Sequence, residues 1–345
     1  MEFNPNKTES LVFTRKREKS APEIKMGNRN IKEVKEHKHL GLTLQQNGKW
    51  NLHIKEIAAK AKKKVDILRG LMYKLNRKSL ERLYLSFIRP GLEYGSMIWD
   101  NCNDYEKQEL ENVQLAALRA ITGAKRGTSH ALLYGDTGIE KLQDRRDRRK
   151  LVQMYKMHNK DSPQILRDIL PNTTKERTAR VLRQDSKTTL VKWSTTSLHT
   201  SFLPSTIEKW NNLPEYIRKT GSVEQFKGYI TPERTKIPEY IYFGDRKAQI
   251  LQTRLRLRCS DLREDLFQIN LADTPQCSCG QAIEDAEHFL SECHLYTDIR
   301  HNLPINLQHY ETEELLMGNE LRSRKHNERI FKAVQTFIRQ TGRFR

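Results

Sequence analysis

Cys277, Cys279, His288 and Cys293 fall within 17 residues in the order C-x-C-x8-H-x4-C. Three thiolates and one imidazole are the donor set of a closed tetrahedral zinc site. Protein atoms fill all four positions, which leaves none for a reactive water and speaks against a zinc hydrolase. Gly280 suits a tight knuckle after the second cysteine. A helix over Glu284–Leu290 would project His288 inward one turn before Cys293. Buried free cysteines beside a surface histidine are the competing reading, and four donors in so short a span favour zinc. In small modules of this kind, metal binding supplies roughly 10–16 kcal/mol of folding free energy near neutral pH. Asp273, Glu284, Asp285, Glu287 and Glu292 surround the motif, and carboxylates repel phosphate. The zinc is therefore expected to be structural rather than a nucleic-acid contact. Cys102 and Cys259 are left over and are expected in the core.

A second group of residues offers charge. Lys55, Lys60, Lys62, Lys63, Lys64 and Arg69 lie in Trp50–Leu75, whose apolar residues Ile54, Ile57, Ala58, Ala61, Val65, Leu68, Met72 and Leu75 recur at helical spacing. The pattern predicts one long amphipathic helix with an apolar face on protein and a cationic face outward. A row of ammonium groups matches a phosphate backbone. A solvated face on an ordinary helix would give the same run.

Composition favours the first of these. The 345 residues carry a net charge of +19 with a pI near 9.7, which points to a polyanionic partner. Residues 1–75 hold 18 Lys and Arg against 8 Asp and Glu, and residues 141–183 hold 13 against 5. Residues 260–320 reverse the sign, with 2 basic against 13 acidic, and the tail 321–345 returns to 8 against 1. A nucleic acid should follow the first half and the tail and avoid the acidic stretch. A hydrophobic fraction of 36% and a mean hydropathy of −0.79 are low for a compact globule of two or three domains. No apolar run of about 18 residues and no signal-peptide core is present, so the sequence predicts a nuclear or cytoplasmic protein without a membrane partner. Five cysteines are too few for a disulfide scaffold and fit a reducing compartment.

Several elements must position these groups. Leu11–Phe13 and Lys38–Leu44 read as strands of a small antiparallel sheet of two to four strands within residues 10–50, with a turn at Gln45–Lys49. After the basic helix, a second helix is predicted over Arg77–Arg89, lined by Leu80, Leu83, Tyr84, Phe87 and Ile88 and ended by Pro90. Gly91–Trp99 reads as an aromatic connector. A third helix spans Asp104–Ile121, with Asn103 as its cap and Gly123 as its stop. Glu140–Met157 carries Asp144, Arg145, Arg146, Asp147, Arg148, Arg149 and Lys150, whose alternation predicts pairing within a solvated helix. Pro171–Thr200 reads as a linker. Short helices follow at Leu203–Trp210, with Trp210 as a core anchor, and at Val223–Ile230. Pro232 and Pro238 mark a boundary before a helix at Asp245–Arg258. The fold class is mainly α with a small antiparallel β element near the N-terminus, a helical thumb-like bundle and a small zinc-knuckle domain.

The order of these features resembles the C-terminal part of the non-LTR retrotransposon reverse transcriptases of the jockey-like group. Asn4–Thr8 (NPNKT) resembles a motif late in their palm, and KHLGLTL at Lys38–Leu44 with Trp50 and His53 is similar to their primer-grip hairpin and thumb start. IRPGLEYGSMIW at Ile88–Trp99, LENVQLAALRAITGA at Leu110–Ala124, WNNLP at Trp210–Pro214 and CSCGQAIEDAEHFLSEC at Cys277–Cys293 follow in the family's order. The resemblance covers nearly the whole chain. It implies residues 1–50 as a palm end, 51–170 as a thumb-like bundle, 171–238 as linker and connector helices, and 239–345 as the zinc-knuckle domain. It further implies an RNA template and DNA primer, or their RNA–DNA hybrid, as partners of the basic helix. Lys7 would stand near the incoming nucleotide, and Gly41 would let the hairpin backbone approach the primer strand. Magnesium would belong to the full-length enzyme, because two-metal phosphoryl transfer needs paired carboxylates. No Asp-Asp pair occurs in these 345 residues. The chain is thus expected to be the catalytically silent end of a longer open reading frame. A stand-alone nucleic-acid-binding or protein-interaction module with a structural zinc is the alternative.

Overall fold

Leu40 and Gly41 both take positive φ, +46° and +83°, the backbone of a two-residue turn whose twist matches that of its flanking strands. The computed structural model, which describes residues 4, 7–14, 23–174, 187–232 and 237–344, closes a hairpin there between β5 (Glu36–His39) and β6 (Leu42–Gln45). The expected single strand over Lys38–Leu44 is therefore folded at its centre, with Leu40 at the exposed tip. Tyr94 braces the tip: its hydroxyl donates to Leu40 O at 3.0 Å. Four shorter strands precede the hairpin. β1 (Glu9–Ser10) pairs in parallel with β4 (Lys32–Glu33), and β2 (Lys25–Met26) pairs antiparallel with β3 (Arg29–Asn30). The β element is small as expected, but among the described residues it is three separate pairs, one of them parallel, and Leu11–Phe13 is not a strand.

The rest of the described chain is mainly helical. Helix α1 (Asn51–Gly70) stops five residues short of the expected Leu75. A turn follows, and the Asn76 side chain accepts from Ser79 N at 2.8 Å to start α2 (Arg77–Leu83). Pro90 does not end this second helix. The chain passes through a wide turn at Tyr84–Ile88, where Arg89 N–H bonds Tyr84 O, and continues as α3 (Arg89–Glu93). Proline has no N–H to give and its ring crowds the carbonyl four residues back, so a turn with one extra residue lets the helix pass it. The extra residue also rotates Phe87 off the packed face and leaves it exposed.

The connector after α3 contains α4 (Ser96–Trp99), and α5 follows at Asp104–Thr122. Its start is a reciprocal cap: Glu106 N donates to Asn103 Oδ1 at 2.8 Å, and Asn103 N donates to Glu106 Oε2 at 3.0 Å. Gly123 ends it with φ +80°. After α6 (His130–Thr137) comes α7 (Leu142–His158), the charged helix. Its cations do not simply pair within a solvated helix. Arg145 and Arg149 reach Glu93 at 2.9 and 3.2 Å, while Arg146 Nε reaches Asp100 at 2.6 Å and Lys150 also pairs with Asp100. Alternating sequence charge cannot distinguish partners on the same helix from partners on another segment.

The chain divides into two compact units, residues 1–60, 91–111 and 141–233, and residues 61–90, 112–140 and 234–345. In the first, α7 packs with the helices Phe202–Asn212 and Val223–Ile230 around Met154, Tyr155, Ile207, Trp210 and Phe226. Trp210 is 3% exposed and is a core anchor as expected. The expected linker over 171–200 lies partly outside the described residues. In the second unit the helix Arg324–Thr341 buries Ile330, Phe331, Val334, Phe337 and Ile338 against Tyr240, Leu255, Phe289 and Leu315. The helix Arg246–Arg256, capped by Asp245, carries arginines that satisfy helix ends: Arg246 Nε donates to Met72 O and Arg254 Nε to Gly123 O. Arg77 and Arg256 enclose the buried Asp136 at 2.9 and 2.6 Å. Burial alone would raise the Asp136 carboxyl, but the two guanidinium groups override it and hold the pKa below its ordinary value.

Candidate metal centre and nucleic-acid interface

The C-x-C segment is a knuckle closed by its own backbone. Cys277 N–H donates to Ala282 O at 2.8 Å, Gly280 N–H to Cys277 O at 2.9 Å, and Glu284 N–H to Pro275 O at 2.9 Å. Gly280 supplies the positive φ of +77° that the turn needs. The Gln281 N–H points at Cys279 Sγ, 3.4 Å away. Of the helix expected over Glu284–Leu290, residues 286–290 are helical, and the helix widens from His288 onward. Asp285 accepts from His288 N at 2.8 Å, and residues His288–Glu292 form a wide turn in which Cys293 N–H bonds His288 O at 2.8 Å. That closure brings Cys293 back beneath His288, and Phe289 and Leu290 on the same turn enter the core.

All four donor atoms lie within 4.8 Å of one another. Cys277 Sγ and Cys293 Sγ are 3.7 Å apart, and Cys279 Sγ and His288 Nε2 are 3.2 Å apart. Zinc–sulfur bonds of about 2.3 Å imply a tetrahedral sulfur–sulfur edge of roughly 3.8 Å, so the buried edge has the right size. The cluster can hold a metal ion. His288 Nδ1 faces Glu292 Oε2 at 3.4 Å, an arrangement that leaves Nε2 for a metal. Glu292 reads in the sequence only as one of the surrounding carboxylates, though its four-residue spacing from a candidate ligand histidine is a signal for such a partner.

Electrostatics explain why these sulfurs suit a cation. The Gln281 N–H lowers Cys279 to about 6. Burial pushes Cys293 up to about 12 and raises Cys277 as well. A shared cation offsets the cost of three thiolates in that position. The surrounding carboxylates are not all free to repel phosphate. Glu284 is 2% exposed and pairs with Arg343 at 2.7 Å. Burial would raise its carboxyl, but bonds from Arg343 and from the Arg263 backbone N–H bring it below its ordinary value. Asp285 is a helix cap, while Asp273, Glu287 and Glu292 remain exposed. Cys102 and Cys259 are buried apart from the cluster, as expected.

The basic helix presents most of its cations outward. Ile54, Ala58, Ala61, Val65 and Leu68 are at most 3% exposed, while Lys55, Lys60, Lys62, Lys63 and Arg69 are on the exposed side. At about 100° per residue these cations do not form one row. Lys55, Lys62 and Arg69 run along one edge of the buried stripe, whereas Lys60, Lys63 and Lys64 cover the other flank. Arg69 pairs with Asp66 at 2.8 Å. Lys64 is half-buried: its Nζ donates to Phe87 O at 3.0 Å and stands 4.1 Å from the centre of the Phe87 ring. Lys7 is exposed in a turn where its N–H bonds Asn4 O at 3.0 Å, while Pro5 and Asn6 of the same motif lie outside the described residues. At Gly41 a Cβ would come 3.2 Å from the Tyr94 ring, so close packing by Tyr94 is one reason for glycine there.

Over 146 residues the chain is 26% identical to the "RNA-directed DNA polymerase from mobile element jockey" of Drosophila melanogaster. The chain is distantly related to a reverse transcriptase. The matched stretch is 41% of this chain and 16% of that protein. No protein-family model and no solved structure matches. No helix among the described residues is long and apolar enough to cross a membrane.

Proposed function

We propose that the chain is the C-terminal part of a non-LTR retrotransposon RNA-directed DNA polymerase, in which α1 grips template and primer and Cys277, Cys279, His288 and Cys293 hold a structural zinc. In this reading residues 1–50 are the end of the palm, 51–170 a thumb-like bundle, 171–238 connectors and 239–345 the zinc domain. The observation that carries it is α1 itself. It buries one apolar stripe and turns Lys55, Lys60, Lys62 and Lys63 to solvent on a chain of net charge +19 that is distantly similar to a polymerase. The residues supply grip rather than bond-making in this reading, because they contain no Asp-Asp pair such as the family's palm uses for two-metal chemistry.

Zinc would add no chemistry beyond cross-linking the knuckle to the turn His288–Glu292. Fluorescence anisotropy on a labelled RNA–DNA hybrid tests the grip. Replacing Lys55, Lys60, Lys62 and Lys63 with Glu should weaken binding and flatten its salt dependence by about one unit of log–log slope per lost phosphate contact. Cys277→Ser should cost less affinity than this quadruple change. An equal or reversed order would sink the assignment of the contact to α1.

A further inference from the structure

Phe87 is 58% exposed, although Tyr84 and Ile88 on the same wide turn are 0% and 2% exposed. The turn holds it there for a backbone reason, the passage of Pro90, so the ring stands on an ordered helix and not on a loose loop. Lys64 lies across it with its ammonium fixed by the Phe87 carbonyl. Two other apolar side chains of these helices are exposed. Ile67, 64% exposed, is one turn along α1 from Lys63 and Lys64, and Leu83, 37% exposed, is one turn before Phe87. The patch is thus an aromatic ring on an ordered helix with the Lys64 ammonium over one face.

We propose that Phe87, one face of which is covered by Lys64, offers its other face as a stacking platform for an unpaired base, and that this surface takes single-stranded nucleic acid in preference to continuous duplex. The inference rests on the reading of α1 as a nucleic-acid contact and deepens it. Charge decides the class of occupant. Lys64 at the ring and the exposed Lys60 and Lys63 of the same helix complement a phosphate strand, and a strand carries a flat π-face beside every phosphate. In a duplex those faces are already stacked on one another, so only an unpaired base can use the ring. Lys64 is already oriented, which lowers the ordering cost of the contact.

Anisotropy titrations of the full chain with labelled oligouridylate and with a blunt RNA–DNA hybrid of equal length test this at one salt concentration. Phe87→Ala should weaken oligouridylate binding by about 5- to 100-fold and change hybrid binding by about twofold or less. Phe87→Leu, which keeps an apolar side chain without a π-face, should show the same selective loss, and Phe87→Trp should retain affinity. Unchanged oligouridylate affinity in Phe87→Ala and Phe87→Leu overturns the platform. So does an equal loss on both ligands. In either case, a loss of hybrid binding in Lys60→Glu/Lys63→Glu leaves the basic-helix reading standing. Failure of the unaltered chain to bind either ligand overturns both.

Discussion

Asp100 accepts a bond from Arg146 Nε at 2.6 Å, and both side chains are 1% exposed. Lys150 shares the same carboxylate from the next turn of α7. Two cations are therefore kept inside the unit by one acid. Asp100→Asn should destabilise the protein by about 3–5 kcal/mol, because it strands both charges rather than merely deleting a contact. Asp144→Asn on the exposed first turn of α7 should cost under about 1 kcal/mol. Urea unfolding of the two variants measures the difference, and equal midpoints would contradict the burial of the network.

His53 is 1% exposed, and its Nδ1 accepts the Thr43 backbone N–H. Burial lowers its pKa from 6.5; Glu56 opposes the shift and Lys60 and Lys38 add to it. The unfolded chain therefore binds a proton that the folded chain resists. Stability should be full above about pH 6.5 and fall as the pH drops below it, until the folded pKa is reached. His53→Gln should remove that component of the pH dependence. Denaturation midpoints between about pH 5 and about pH 8 give the comparison, and parallel curves for the two proteins would rule it out.

The reciprocal bonds between Asn103 and Glu106 fix the start of α5. Asn103→Ala should cost about 1 kcal/mol, and Glu106→Ala somewhat less because it frees one donor at a helix start. A double-mutant cycle reads the coupling. Strict additivity would mean that the two bonds form independently of each other.

Those capping residues show what the sequence makes legible. Side-chain spacing fixes local structure, so the cap at Asn103, the stop at Gly123, the amphipathic stripe of α1 and the donor set Cys277, Cys279, His288 and Cys293 could each be read directly. Partner choice could not. Arg145, Arg146 and Lys150 look like members of a solvated alternating run, yet their acids are Glu93 and Asp100, about fifty residues away along the chain. The wide turn before Pro90 was equally hidden, since proline in a helical pattern ordinarily signals an end. Its consequence, an exposed Phe87 on a face that spacing assigns to the core, follows from backbone geometry alone. The two-residue hairpin turn was masked by Leu40, whose apolar side chain reads as strand although its backbone has positive φ.

Metal removal should reach beyond the knuckle. Phe289 and Leu290 lie between the proposed ligands His288 and Cys293 and are fully buried in the core with Phe331 and Phe337. Losing the metal should therefore loosen that core as well as the knuckle. Elemental analysis of the purified chain should find one zinc, and Cys293→Ser should lose it. Cys259→Ser, outside the cluster, should keep it. Chelation should lower the melting temperature of the unaltered chain and of Cys259→Ser, but leave Cys293→Ser unmoved, because binding to the folded state alone is the source of the stabilisation. An equal response of all three proteins to the chelator would mean that the cysteines are packing residues and the sulfur–sulfur edge of 3.7 Å is a coincidence of burial.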